Sequence, residues 1–212
     1  MLETNKTEQE IFWPGDFGDG YTKWNVGAEL LASSISLFAR TFSCIQKIVS
    51  VVEFGANIGL NLQALRLLYP GQIQHAVEIN SLAAAKIKES LPDVEVFNSS
   101  IAGFDPKEIN HGLCDLVLIN GVLIHINPDQ LDVVYQKLND TTLKYILVCE
   151  YYNPKPDVIN YRGHTDRLFG RDFAGEILDK FKDLTLVDYG FAFHCVPSFP
   201  QDDITWFRLN KV

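Results

Sequence analysis

No apolar run in these 212 residues approaches the ~18 that a membrane-crossing helix needs, so the sequence offers no transmembrane segment. Its opening, MLETNKTEQE, is polar and acidic, which predicts that no signal peptide is present and that the protein is cytoplasmic. Basic clusters are missing too. With 27 acidic against 18 basic residues the formal net charge is −9, and no stretch gathers lysine and arginine. An electrostatic grip on DNA or RNA is therefore not expected. Cys44, Cys114, Cys149 and Cys195 lie far apart with no C-x-x-C spacing. Cys114 and Cys149 fall in or beside apolar strand-like runs, which favours reduced core thiols over disulfides or zinc. The histidines never fall at ligand spacing, so no metal site is expected. Internal repeats, low-complexity tracts and linker-like shifts are absent. The length suits one α/β domain able to bury a sheet between two helical layers.

What the chain does have is one organising stretch, VSVVEFGANIGLNL, from Val49 to Leu62. The β-branched run Ile48–Val52 reads as a fully buried parallel strand. It closes on Glu53 and a turn, Gly55-Ala56-Asn57-Ile58-Gly59, and a leucine-rich helix follows to Tyr69. Glycine permits the sharp turn and a close approach of backbone to ligand, and Asn57 tolerates the left-handed region. A strand, tight turn and helix N-terminus make a nucleotide-sized cradle, although a turn of this kind can also stand without a ligand. Asn57 occupies the place of the second glycine in the dinucleotide pattern G-x-G-x-x-G, so the pattern is E-x-G-x-x-x-G.

Ahead of this stretch, Phe12–Tyr21 reads as a structured aromatic loop, and a helix capped by Asn25 should run to about Ile45; residues 1–46 are expected to form a lid. Behind it, strand Ile73–Val77 ends in Glu78-Ile79-Asn80, one crossover after Glu53. An acid there can accept both hydroxyl protons of a ribose, or be a solvated strand cap. Ser81 is expected to cap the next helix. Strand Val94–Phe97 leads to Ser99, Ser100 and Ile101, which suit an adenine edge and face, or simply a turn. Strand Leu113–Ile119 runs into Asn120 and Gly121, which complete the expected cofactor set, and then His125. Asn127 and Pro128 open a helix whose buried face is Leu131, Val134, Tyr135 and Leu138. Strand Tyr145–Cys149 closes on Glu150 and Tyr151. The connection 153–173 is too long and mixed for a plain linker and is expected to cover an acceptor. Helix 173–182 and two strands, 184–189 and 204–210, finish the chain as an antiparallel hairpin. The expected fold is a three-layer α/β/α, doubly wound, mostly parallel seven-stranded sheet with a C-terminal antiparallel strand.

The glycine turn looks like motif I of class I S-adenosylmethionine (SAM)-dependent methyltransferases. Together, EFGANIGLNL, VLIHINPDQL, EYYNPKP, YRGH-x-DRLF and RDFAGE resemble the methylases associated with pseudaminic acid biosynthesis, from about Phe12 to the C-terminus. The chain departs from that pattern at Trp24, where the family commonly has Arg, and at Gly170, where Lys is usual. The resemblance implies SAM as methyl donor, S-adenosylhomocysteine (SAH) as product, Gly55 and Gly59 facing the methionine part of the cofactor, and a link to bacterial surface sugars.

Methyl transfer is an in-line displacement, and a hydroxyl nucleophile also needs a base. His125 is the first candidate, against a core role between Ile124 and Ile126; Glu150 and His164 are the others. Tyr21, Tyr151, Tyr161, Arg162 and Arg167 are the expected acceptor contacts. Arg forks suit an acidic or phosphorylated acceptor, or an internal ion-pair network with Asp166 and Asp172. Two other readings stay open: a nicotinamide-dependent reductase, which the missing middle glycine and terminal strand pair oppose, and a binding module without turnover.

Overall fold

In the computed structural model, the described residues are 7–24, 26–45, 47–110, 112–161, 164–196, 198 and 203–212, with backbone alone for 160, 161 and 164–167. The apolar run around Val51 becomes the central strand. In chain order the elements are α1 (Glu8–Phe12), α2 (Asp16–Trp24), α3 (Ala28–Thr41), β1 (Ser50–Phe54), α4 (Leu60–Leu68), β2 (Ile73–Val77), α5 (Ser81–Ser90), β3 (Glu95–Phe97), β4 (Cys114–Asn120), α6 (Leu131–Thr141), β5 (Thr142–Glu150), β6 (Asp157–Tyr161), β7 (His164–Gly170), α7 (Phe173–Lys180), β8 (Leu184–Ala192) and β9 (Ile204–Lys211). Seven strands form one sheet in the order β3-β2-β1-β4-β5-β9-β8. Strands β1 to β5 are mutually parallel, and β9 runs antiparallel to both its neighbours.

The central strands are apolar on both faces because both faces are covered. Successive residues alternate between two cores: Val52, Phe54, Val117, Ile119, Ile146 and Val148 pack with α6 and α7. Val51, Leu116, Leu118, Leu147 and Cys149 pack with α3, α4 and α5. A one-residue slip would exchange these faces, so the register is fixed by burial. Glu53 shares the second face with Val51, and is 1% exposed.

The N-terminal section departs from the expected loop and single long helix. Thr7 and Glu10 form a reciprocal capping box that starts α1 (Glu10 N–H to Thr7 Oγ1 3.2 Å; Thr7 N–H to Glu10 Oε2 2.9 Å). The aromatic, glycine-bearing segment that reads as a loop is the helix α2. Its Gly18 is needed because a Cβ there would lie 1.9 Å from the Trp13 carbonyl oxygen. Gly27, at φ 124°, separates α2 from α3; the expected cap Asn25 lies outside the described residues. Asn80, not Ser81, caps α5, its Oδ1 accepting from Ala83 N–H at 2.9 Å. The connection 153–173 is not loop throughout: β6 and β7 pair as an antiparallel hairpin. Phe169 and Leu168 at its end are buried in place of a solvated linker. Asn127 does cap as expected, but a 3-10 turn, Pro128–Gln130, precedes α6.

The turn after β1 is built by the protein's own packing. Gly55, Asn57 and Gly59 take φ of 75°, 48° and 78°. A Cβ on Gly55 would meet Val122 Cγ2 at 2.5 Å, so the space that glycine leaves is filled by a valine from the turn after β4. Gly55→Ala should therefore cost about 2–4 kcal/mol in urea unfolding, ~1–2 from the positive φ and the rest from overpacking. Adding Val122→Ala should recover part of it, with a coupling of at least about 0.5 kcal/mol; strictly additive costs would show that no clash exists.

Candidate functional site

Strand order reverses between β1 and β4, and the C-terminal ends of β1, β2, β4 and β5 open there on a cavity of about 510 Å³. Such a switch point is where doubly wound sheets bind ligands. The cavity wall brings together Glu53, Gly55, Asn57, Glu78, Ile79, Ser99, Ser100, Ile101, Asn120, Gly121, His125, Glu150, Tyr21 and Tyr151 from the sequence-derived candidates. Gly59 stands apart from that wall; a Cβ there would face Leu91 Cδ1 at 3.2 Å and Ile87, on the protein side. Of the remaining candidates, Arg162 lies outside the described residues, as do the side chains of Tyr161, His164 and Arg167.

Glu78 ties two loops together. Its Oε2 accepts from Asn57 N–H at 2.7 Å, and its Oε1 from Asn80 N–H at 2.8 Å. The left-handed backbone of Asn57 belongs to the turn that presents this N–H. Asn98 holds the strand end from behind, donating to the carbonyls of Glu78 (2.8 Å) and Ile79 (3.2 Å). Burial raises the Glu78 carboxyl above its ordinary pKa, and the backbone donors pull it back. Ile79 N–H is a third backbone donor to this carboxyl, whose two oxygens keep lone-pair capacity for a further donor from the cavity.

Glu53 is more deeply enclosed. Its Oε1 accepts from Asn61 Nδ2 at 2.7 Å, and Asn61 Oδ1 accepts in turn from Ser34 Oγ at 3.1 Å. Its Oε2 is buried with no hydrogen-bond partner among the described residues. Burial, opposed by Asn61 and reinforced by the neighbouring Glu78 charge, pushes its pKa from 4.5 to about 8. An acceptor buried without a donor is costly, and at a cavity wall it marks where a donor or cation would be received.

Glu150 closes β5. Its Oε1 accepts from Val122 N–H (2.9 Å) and Leu123 N–H (2.8 Å), which caps the 3-10 turn Leu123–His125. Its Oε2 has no partner among the described residues, and burial takes its pKa to about 7. Glu150 thus fixes the turn that carries His125. The His125 ring is 8% exposed and packs 4.8 Å from that of Trp13, tilted 60°. Both readings of His125 meet in this geometry: it is largely buried, and it lines the cavity.

Asn80 joins the front section to this wall, its Nδ2 donating to the Trp13 carbonyl (3.1 Å) and to Asp19 Oδ1 (2.8 Å). Lys86 Nζ adds a bond to Thr22 Oγ1 at 2.9 Å. Sequence reasoning missed Trp13, Asn61, Asn80 and Val122 as site residues. Asn61 stands eight positions after Glu53, in the first turn of α4, and that spacing was the available signal. Of the serines, Ser99 Oγ is buried without a partner among the described residues. Ser100 Oγ instead accepts from Gly103 N–H at 3.1 Å, the turn-capping alternative. Among the described residues no group of three His, Cys, Asp or Glu is placed to hold a metal, and no helix is long and apolar enough to cross a membrane.

No family model and no curated protein matches the chain by sequence. By structure it is similar to magnesium protoporphyrin IX methyltransferase from Synechocystis PCC 6803 with bound SAM, at a TM-score of 0.68 and 9% identity over 98% of this chain and 99% of that one. It is similar to 1,6-didemethyltoxoflavin-N1-methyltransferase of Burkholderia thailandensis, bound to 1,6-didemethyltoxoflavin and SAH (0.69, 16%, 96% and 87%). The N-methyltransferase NodS from Bradyrhizobium japonicum WM9, in complex with SAH, gives 0.66 at 13% identity over 96% of both chains. The chain has the class I SAM-dependent methyltransferase fold, with the mostly parallel seven-stranded sheet and antiparallel β9 expected from the sequence.

The buried carboxyls set a pH dependence. A carboxyl that holds its proton more tightly folded than unfolded makes the unfolded state lose protons first, so stability falls as pH rises from the unfolded pKa to the folded one. For Glu53 that window runs from 4.5 to about 8. Unfolding free energy should drop across it, and Glu53→Gln should flatten the drop by up to about 5 kcal/mol, at ~1.4 kcal/mol per unit. A variant with the wild-type pH slope would place Glu53 in a solvated setting.

Proposed function

We propose that the chain is a SAM-dependent methyltransferase acting on a small acceptor of the surface-sugar, nonulosonate kind. The observation that carries the first half is the pair Glu53 and Glu78 at the switch point of this fold, one with a buried oxygen that has no partner among the described residues and both beside the left-handed turn 55–59. That acidic wall suits a cofactor with an ammonium, a sulfonium and ribose hydroxyls. Glu53 receives the positive end, Glu78 accepts from the ribose, and Ser99 with Ile101 borders the base. The solved structures of the same fold hold SAM or SAH. The surface-sugar half is supported by the sequence resemblance.

Bound SAM supplies a methyl group on a sulfonium, ready for displacement by a nucleophile in line behind it. The chain's part is to hold the acceptor, exclude water and take a proton. Trp13, Tyr21 and Tyr151 wall the acceptor side, with α1 and α2 as its cover. His125 takes the proton; Glu150 holds the turn that aims it, and its free oxygen can accept a proton in its place. The grip on an acidic acceptor falls to Arg162, Arg167 and His164, whose side chains lie outside those described. The described wall carries three buried glutamates.

Two measurements test this. Calorimetry at pH 7 should show SAM and SAH binding, with no binding of nicotinamide dinucleotides. A cation beside Glu53 favours its ionised form, so binding of SAM should release protons and the apparent enthalpy should change with buffer ionisation enthalpy. Binding of the dinucleotide instead would overturn the cofactor assignment, and SAM binding without proton release would move its positive groups away from Glu53. With a turnover assay over nucleotide sugars, His125→Asn should leave SAM affinity intact and lower the rate ~10²–10⁴-fold. Unchanged turnover with a lower melting temperature would make His125 a packing residue, and no turnover on any sugar by the wild type would remove the acceptor class.

A further inference from the structure

Away from the cavity, the segment joining β8 to β9 holds a second reactive constellation. Two cysteines are exposed, Cys44 and Cys195. Cys195 Sγ lies 3.2 Å from His194 Nε2, and His194 Nδ1 lies 2.8 Å from Asp203 Oδ1. An ionised carboxylate only accepts, so Nδ1 carries the ring proton and the Nε2 lone pair faces the thiol. The same Asp203 oxygen accepts from the His194 backbone N–H at 3.0 Å, and these bonds hold its carboxyl below the usual range. Phe193 packs edge-on to the imidazole, ring centres 4.7 Å apart. Nucleophile, base and orienting acid are therefore in hydrogen-bond sequence, the arrangement that activates a thiol. Cys44 Sγ accepts from the Ser43 hydroxyl at 3.7 Å, with no histidine beside it among the described residues.

We propose that Cys195 is an activated thiol, with His194 as its base and Asp203 holding the imidazole, and that it exchanges with small disulfides. His194 Nε2 takes the thiol proton, and the thiolate attacks one sulfur of the disulfide. The new sulfur–sulfur bond forms as the old one breaks, and the departing thiolate is protonated by the imidazolium. One disulfide is consumed and one formed, so no further oxidant is required. Asp203 directly precedes Ile204, which lines the cavity. This assignment stands independently of methyl transfer.

The test is site-resolved mass spectrometry of the full chain after timed exposure to glutathione disulfide and to dithiodipyridine at pH 7. Cys195 should react at least ~10-fold faster than Cys44, with Cys195→Ser removing the fast phase. His194→Asn and Asp203→Asn should each bring Cys195 towards the Cys44 rate while the buried Cys114 and Cys149 stay protected, which shows that the fold is kept. Equal rates for Cys195 and Cys44, or a fast rate that survives His194→Asn, would overturn the proposal.

Discussion

The site depends on one carboxylate. Glu78 accepts from the backbone of the turn after β1 through one oxygen and from the loop after β2 through the other. Those two loops leave neighbouring parallel strands, where Gly55 N–H also bonds the Val77 carbonyl at 2.8 Å, and the carboxylate joins them beyond the strand ends. The left-handed turn at 55–59 makes the first bond geometrically possible, and Asn80, held by the second, makes three further bonds: one caps α5 and two reach Trp13 and Asp19. From one buried acid, order passes outward to the cradle, the crossover helix and the front section that walls the cavity.

That arrangement costs stability. Glu53, Glu78 and Glu150 are each under a tenth exposed, and burial raises all three carboxyl pKa values. At Glu53 and Glu150 the second oxygen is buried with no donor among the described residues, which adds to that cost. Buried polar strain of this kind gathers at functional sites, where a ligand rather than the protein satisfies it. Glu150 shows both uses in one side chain: one oxygen caps the turn bearing His125, and the other is open towards the cavity wall.

Local physics made much of this legible in the sequence. A β-branched run, a glycine turn and a leucine-rich helix are adjacent in the chain, so β1, its turn and α4 could be read together, and the acid at the end of β2 followed from the crossover. The aromatic segment before Tyr21 misled, because glycine at 18 signals a loop locally, whereas here it admits the Trp13 carbonyl. The hairpin β6–β7 was illegible for a related reason: its mixed charges and aromatics break the period-two alternation that marks a strand. Gly55 was read as a place where backbone approaches a ligand, and it does line the cavity; that Val122 occupies the space of its absent Cβ was not legible. Val122 and Trp13 owe their places to long-range packing, which no neighbouring residue announces.

The central claim is that Glu78 is shared between the protein's two loops and a ribose. A crystal structure of the complex with SAH tests it most directly. The account predicts the ribose hydroxyls on the Glu78 carboxylate, with the bonds from Asn57 and Asn80 retained and the amino group of the ligand at the second oxygen of Glu53. A ligand seated elsewhere in the cavity, or a Glu78 that abandons both backbone donors to reach it, would contradict the account.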